Sequence, residues 1–185
     1  MYSIATRQLA SAFTDADSIT ADPGIIKELL EKFDDDRIIP TPVAEPGHGD
    51  GPFVQRIAYG IQENGWQIVL ARKRFDVMVR PTVDSNPGSL TEFCENASKI
   101  LGITLDFFER KAHRVALVQE GLILDLSDDQ KIKIASKLFR YPPTFAQDIP
   151  FEWQWRTASE VEREFGGATE ITNTIITTIR QKDIR

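Results

Sequence analysis

The chain holds a single cysteine, Cys94, so no intrachain disulfide can form and a reducing compartment suits it. It holds two histidines, His48 and His113; one cysteine and two scattered histidines do not make a standard zinc site. Long apolar runs are missing. No window approaches the ~18 residues of a membrane span. The opening MYSIATRQLASAF has neither a continuous apolar stretch nor a signal-peptide cleavage pattern. The expected location is cytoplasmic, with no membrane partner. An excess of positive charge is missing too: 22 Lys and Arg face 28 Asp and Glu, for a net charge of -6. That balance argues against bulk, non-specific nucleic-acid binding while leaving room for a local basic patch. The phosphate-cradling G-x-x-x-x-G-K-[ST] and G-x-G-x-x-G patterns are absent, as are an RNP motif and a helix-turn-helix signature. No cofactor is expected.

What is present describes an ordinary globular chain. At 185 residues it fits one domain over 1–185, with 150–185 as an extended terminal hairpin. A first strand is expected over 2–10. Asp22-Pro23 reads as a cap and a first-turn proline, and Ile25, Ile26, Leu29, Leu30 and Phe33 form a helical stripe over 23–33. Pro40 and Pro42 make any strand over 37–44 an edge strand, since proline cannot donate to the ladder. Asn64-Gly65 supplies a tight turn between FVQRIAYGIQ and WQIVLA, and ARKR turns the chain again into FDVMVRP. A meander over 53–80 follows. Ser89 with Glu92, and Ser127 with Gln130, are capping boxes opening two further helices, the first ending at Gly102 as C′ glycine. A strand over 113–126 carries a break at Glu120-Gly121. The last forty residues alternate Phe151, Trp153 and Trp155 with polar neighbours, turn at Gly166-Gly167, and return through the β-branched TEITNTIITTIRQ. The expected fold class is α+β: a mainly antiparallel sheet, made of the 53–80 meander and a C-terminal hairpin, packed against about three helices.

Five constellations are candidates for chemistry or recognition. His48 and Asp50 sit in EPGHGDGP; histidine has the pKa of a general base and a nearby carboxylate can orient it. Glycine and proline at that density also serve a plain connection, and no nucleophile stands nearby. Asp34, Asp35 and Asp36 match no calcium-loop spacing and read as a solvated turn. Cys94 lies on an apolar helix stripe, where cysteine packs as a small hydrophobe; pairing it with His113 as a nucleophile and base is the sharper alternative. Arg72, Lys73 and Arg74 at one turn, with Arg110, Lys111 and Arg114 near another, form an anion-binding patch if the sheet brings them together.

The fifth is the terminal hairpin. Phe151, Trp153 and Trp155 share one strand face, for which core packing is the commonest explanation and an oligomer or partner interface the alternative. Its partner strand is long and threonine-rich, an edge that needs covering. The leading expectation is a non-enzymatic binding or assembly protein, an oligomer or a subunit of a larger complex, whose partner is another protein or itself. One alternative is a nucleic-acid-associated accessory subunit using the basic turns. The other is a hydrolase with His48 and Asp50 as its loop site.

Overall fold

The computed structural model describes residues 2–33, 38–46, 52–61, 65–80, 88–124, 126–138, 152–165 and 167–180. The fold is α+β, with a mainly antiparallel six-stranded sheet, a separate two-stranded hairpin and three helices among these residues. The chain divides into two compact units, Met1–Leu124 and Asp125–Arg185.

In the first unit the order is β1 (Tyr2–Phe13), α1 (Pro23–Phe33), β2 (Ile39–Glu45), β3 (Val54–Ile61), β4 (Trp66–Ala71), β5 (Arg74–Val79), α2 (Leu90–Phe107) and β6 (Arg114–Leu124). The sheet runs β2-β3-β4-β5-β1-β6, and every neighbouring pair is antiparallel. The prolines explain one border. Pro40 and Pro42 sit on β2 opposite Tyr59 and Ile57, and β2 is an edge strand, where a missing donor is tolerated. The other border is β6, which among the described residues pairs with β1 alone. The irregularity expected at Glu120-Gly121 belongs to the partner: β6 is continuous, and the register shifts between Ala5 and Arg7 of β1. β1 itself runs three residues beyond the expected 2–10, because its far end is held between two strands.

Period-two alternation builds the core face. Ile57 and Tyr59 on β3, Ile68 and Leu70 on β4, and Phe75, Val77 and Val79 on β5 are all buried. They join Phe93, Ala97 and Leu101 from α2 and Leu29 from α1 in one cluster. Trp66 stacks on Phe93 at 5.4 Å and Phe33 meets Tyr59 edge-on at 5.6 Å. The Tyr59 hydroxyl is buried without a hydrogen-bond partner, and burial raises its pKa above the ordinary phenol value.

The caps follow the sequence. Asp22 Oδ1 accepts from the amides of Gly24 at 2.8 Å and Ile25 at 3.2 Å, with Pro23 opening α1. Ser89 and Glu92 close the reciprocal box at the start of α2, and the Ser89 amide lowers the Glu92 pKa. The end of α2 corrects the expectation for Gly102. The helix continues through it to Phe107, since an interior glycine costs only about 1 kcal/mol and Thr104 beyond it is buried. The left-handed residue after the helix is Glu109, at φ 52°.

The second unit holds α3 (Asp128–Leu138), β7 (Trp153–Phe165) and β8 (Ala168–Arg180). Ser127 and Gln130 form the second box in front of α3. β7 and β8 pair from Trp153↔Arg180 to Phe165↔Ala168 with no register shift.

Candidate functional site

The basic residues are organised by the segment that follows β1. Phe13 stands opposite Arg74 on one side and Arg114 on the other, so the three lie in a row across β5, β1 and β6. The Arg114 guanidinium lies over the Phe13 ring at 4.9 Å, within cation–π range. Beyond Phe13 the Thr14 amide donates to the Lys73 carbonyl at 3.1 Å and the Ala16 amide to the Arg72 carbonyl at 2.9 Å. The Thr14 hydroxyl donates to the Lys111 carbonyl at 3.1 Å, and Arg110 Nη2 donates to Ser18 Oγ at 2.9 Å. The structure therefore brings Arg72, Lys73 and Arg74 to the same stretch, 13–18, as Arg110, Lys111 and Arg114.

That stretch also supplies acids. Asp17 pairs with the Arg72 guanidinium and, at 3.1 Å, with Lys73 Nζ; Asp15 takes Lys73 Nζ at 3.2 Å. Arg74 Nε donates to Asp76 Oδ2 at 2.8 Å, while Ser11 Oγ donates to Asp76 Oδ1 at 2.6 Å, so this buried carboxylate is bonded on both oxygens. Half of the patch is thus neutralised internally. Arg110, Lys111 and Arg114 form no salt bridge among the described residues.

The acids titrate accordingly. The Asp17 amide and the Lys73 ammonium hold the Asp15 carboxyl below the ordinary 3.8; Arg72 and Lys73 do the same for Asp17. Arg72 and Lys73 are raised in turn, chiefly by hydrogen bonds to Asp17. A depressed carboxyl contributes its stabilisation above the unfolded pKa and loses it as pH falls through the folded one. The contacts between the 13–18 stretch and the ARKR turn should therefore be intact at neutral pH and dissolve only below about pH 4. Carboxyl chemical shifts followed by NMR should give midpoints for Asp15 and Asp17 below the ordinary 3.8. Midpoints at or above that value would refute the pairing.

Beneath this surface lies a residue that sequence reading passed over. Arg56 is 4% exposed. Its Nε donates to Glu45 Oε2 at 2.9 Å, and its Nη1 donates to the carbonyls of Ala16 and Asp17 at 3.2 Å each and to that of Ile19. Glu45 also accepts from the Arg72 amide, at 3.1 Å through Oε2. The only local signal was a charged residue inside the apolar run FVQRIAYGI.

Cys94 is half-buried against the core, whereas His113 is exposed and donates its amide to the Phe13 carbonyl. His48, Asp50, Asp34, Asp35, Asp36 and Phe151 lie outside the described residues. No helix among the described residues is long and apolar enough to cross a membrane.

The second surface is the hairpin. Trp153 and Trp155 sit half-buried on one face with Thr157. The larger apolar exposure falls on the return strand, which carries Ile171, Ile175, Ile176 and Ile179, all more than half exposed. Val161 on β7 is exposed as well. The signal for these residues was the run TEITNTIITTIR, whose isoleucines recur on both faces. β6 offers a comparable border in the first unit, with Val115, Leu117, Leu122 and Ile123 exposed.

The chain matches no family model, no curated protein and no solved structure. The reading of its function rests on these two surfaces.

Proposed function

We propose that this chain is a non-enzymatic assembly protein and that the β7–β8 hairpin is its interaction surface. One observation carries the reading. Among the described residues two thirteen-residue strands pair only with each other, and β8 exposes Ile171, Ile175, Ile176 and Ile179. A two-stranded hairpin alone is marginally stable in water, and a long uncharged edge is a template for pairing. A surface of this kind is stabilised by what binds it. The nucleic-acid alternative has less support, because Asp15, Asp17 and Asp76 already occupy Arg72, Lys73 and Arg74. The hydrolase alternative rests on His48 and Asp50, for which no geometry is described.

The test is native mass by light scattering, paired with amide hydrogen exchange, on the full chain over a range of concentrations. The expected result is a mass above the 20.9 kDa of one chain, with protection over β7 and β8 that rises as assembly proceeds. Assembly that leaves the exchange of β7 and β8 untouched would place the interface elsewhere. A chain of monomer mass whose hairpin is protected at every concentration would make the hairpin a self-sufficient structural element.

A further inference from the structure

Among the described residues β8 pairs on one side alone, with β7, and its other edge is regular. Its ladder to β7 is unbroken, so the backbone groups on the other side are evenly presented. Proteins blunt such edges with proline, lysine, a bulge or a short strand. β8 contains no proline, lysine or glycine, and its charges stand only at Glu170 and Arg180.

Those two charges sit symmetrically about Ile175. Counting outward from Ile175, Thr172 matches Thr178, Ile171 matches Ile179 and Glu170 complements Arg180, with polar Asn173 and Thr177 at one pair of places and the unlike Thr174 and Ile176 at another. An antiparallel strand sees its twofold copy in reverse order. Pairing centred on Ile175 therefore sets Ile175 against itself, Ile171 against the partner's Ile179, and Glu170 against the partner's Arg180. Directly opposed apolar and opposite-charge pairs are the units that stabilise a sheet.

The neighbouring registers lack this fit. Centred on Thr174, Ile175 meets Asn173, Ile171 meets Thr177 and Glu170 meets Thr178. Centred on Ile176, Ile175 meets Thr177, Ile179 meets Asn173 and Arg180 meets Thr172. Every isoleucine pair on that face is lost, and both ion pairs with it.

The faces agree as well. Ile171, Ile175 and Ile179 share one face of β8, at 62%, 53% and 54% exposure, opposite Glu162, Ala158 and Gln154 of β7. The pairing sets them against their copies along the middle of a four-stranded sheet, with the polar pair Asn173–Thr177 between successive isoleucine pairs. On the other face Glu170 already stands opposite Arg163 of its own hairpin. The partner's Arg180 adds a second cation on its other side.

We propose that β8 pairs antiparallel with β8 of a second copy of this chain about a twofold axis at Ile175, joining two hairpins into one sheet of order β7-β8-β8′-β7′. The proposal rests on the assembly reading and names its partner and register.

Cysteine cross-linking tests it on the full chain carrying Cys94→Ala, which removes the native thiol. Ile175→Cys places two thiols opposite each other, within the Cα separation a disulfide spans. Ile171→Cys alone places them eight residues apart along the partner strand, roughly 27 Å. The expected result is disulfide dimer forming at least about tenfold faster for Ile175→Cys than for Ile171→Cys or Ile179→Cys, given that difference in reach. Mixing the last two variants should yield a disulfide heterodimer. Equal cross-linking at all three positions would overturn the register. If β8 amides still gained protection on assembly in that case, the broader reading would survive with another partner or alignment. Failure of both the cross-link and the protection would remove both.

Discussion

Replacing Arg56 with alanine should unfold much of the first unit's margin of stability, at a cost of about 3–5 kcal/mol. The guanidinium is buried and fully engaged: one nitrogen reaches Glu45, and another serves carbonyls at Ala16, Asp17 and Ile19. Removing it takes a donor from the Glu45 carboxylate, which keeps the Arg72 amide, and from three carbonyls, of which that of Ala16 keeps the Ile19 amide. The buried Ile19 carbonyl loses the guanidinium, and a buried acceptor left short costs more than the made bond contributes. Arg56→Lys should be nearly as harmful. A single ammonium can reach Glu45 or the carbonyls, while the planar fork reaches both at once. Glu45→Gln should be far milder, near 1 kcal/mol, since an acceptor oxygen remains. Urea unfolding followed by tryptophan fluorescence will rank the three. The arrangement described would be refuted if Arg56→Lys lost less than Glu45→Gln, because the fork would then carry no special weight.

Gly65→Ala should be the second severe change, at about 3 kcal/mol. Gly65 has φ 70°, where a side chain is already strained, and a Cβ there would stand 2.0 Å from the Arg80 carbonyl oxygen. The obstacle is backbone, held by the Arg80 amide donating to the Gly65 carbonyl at 3.1 Å, so neither partner can swing aside. Gly167 provides the comparison. It has φ 83° with nothing within 4 Å of its would-be Cβ, so Gly167→Ala should show the conformational strain alone, about 1 kcal/mol. Melting temperatures of the two variants measured side by side will separate strain from collision. Equal losses would mean that the close approach to Arg80 is absent in solution.

Local rules carried the sequence reading as far as they reach. Alternation and turn chemistry marked β3, β4 and β5, prolines marked β2 as a border, and the spacing of Ile25, Leu29 and Phe33 marked α1. These features act between near neighbours along the chain. Gly102 misled because a weak local penalty was set against burial of Thr104, which only the tertiary fold reveals. The register shift near Thr6 was likewise assigned to β6, since Gly121 is conspicuous and the residues facing it are not. Arg56 was illegible for a different reason. Its acceptors are main-chain carbonyls some forty positions earlier, and a carbonyl has no letter of its own. The two basic clusters were visible as charges, but the acids that neutralise half of them lie at 15, 17 and 76, and only the pairing of β1 with β5 and β6 brings them together.

The strand that precedes and pairs with β8 has the opposite character. β7 carries Arg156, Glu160, Glu162, Arg163 and Glu164 along its length, and any sheet extended at β8 keeps β7 as its outer border. Charges along such a border discourage further strands. An isologous contact through β8 also uses the same patch on both copies, leaving neither free for a third. Under the proposed pairing, growth through this hairpin terminates by its own composition: a closed pair is favoured over a filament, and the exposed isoleucines of β8 are used up in a single event.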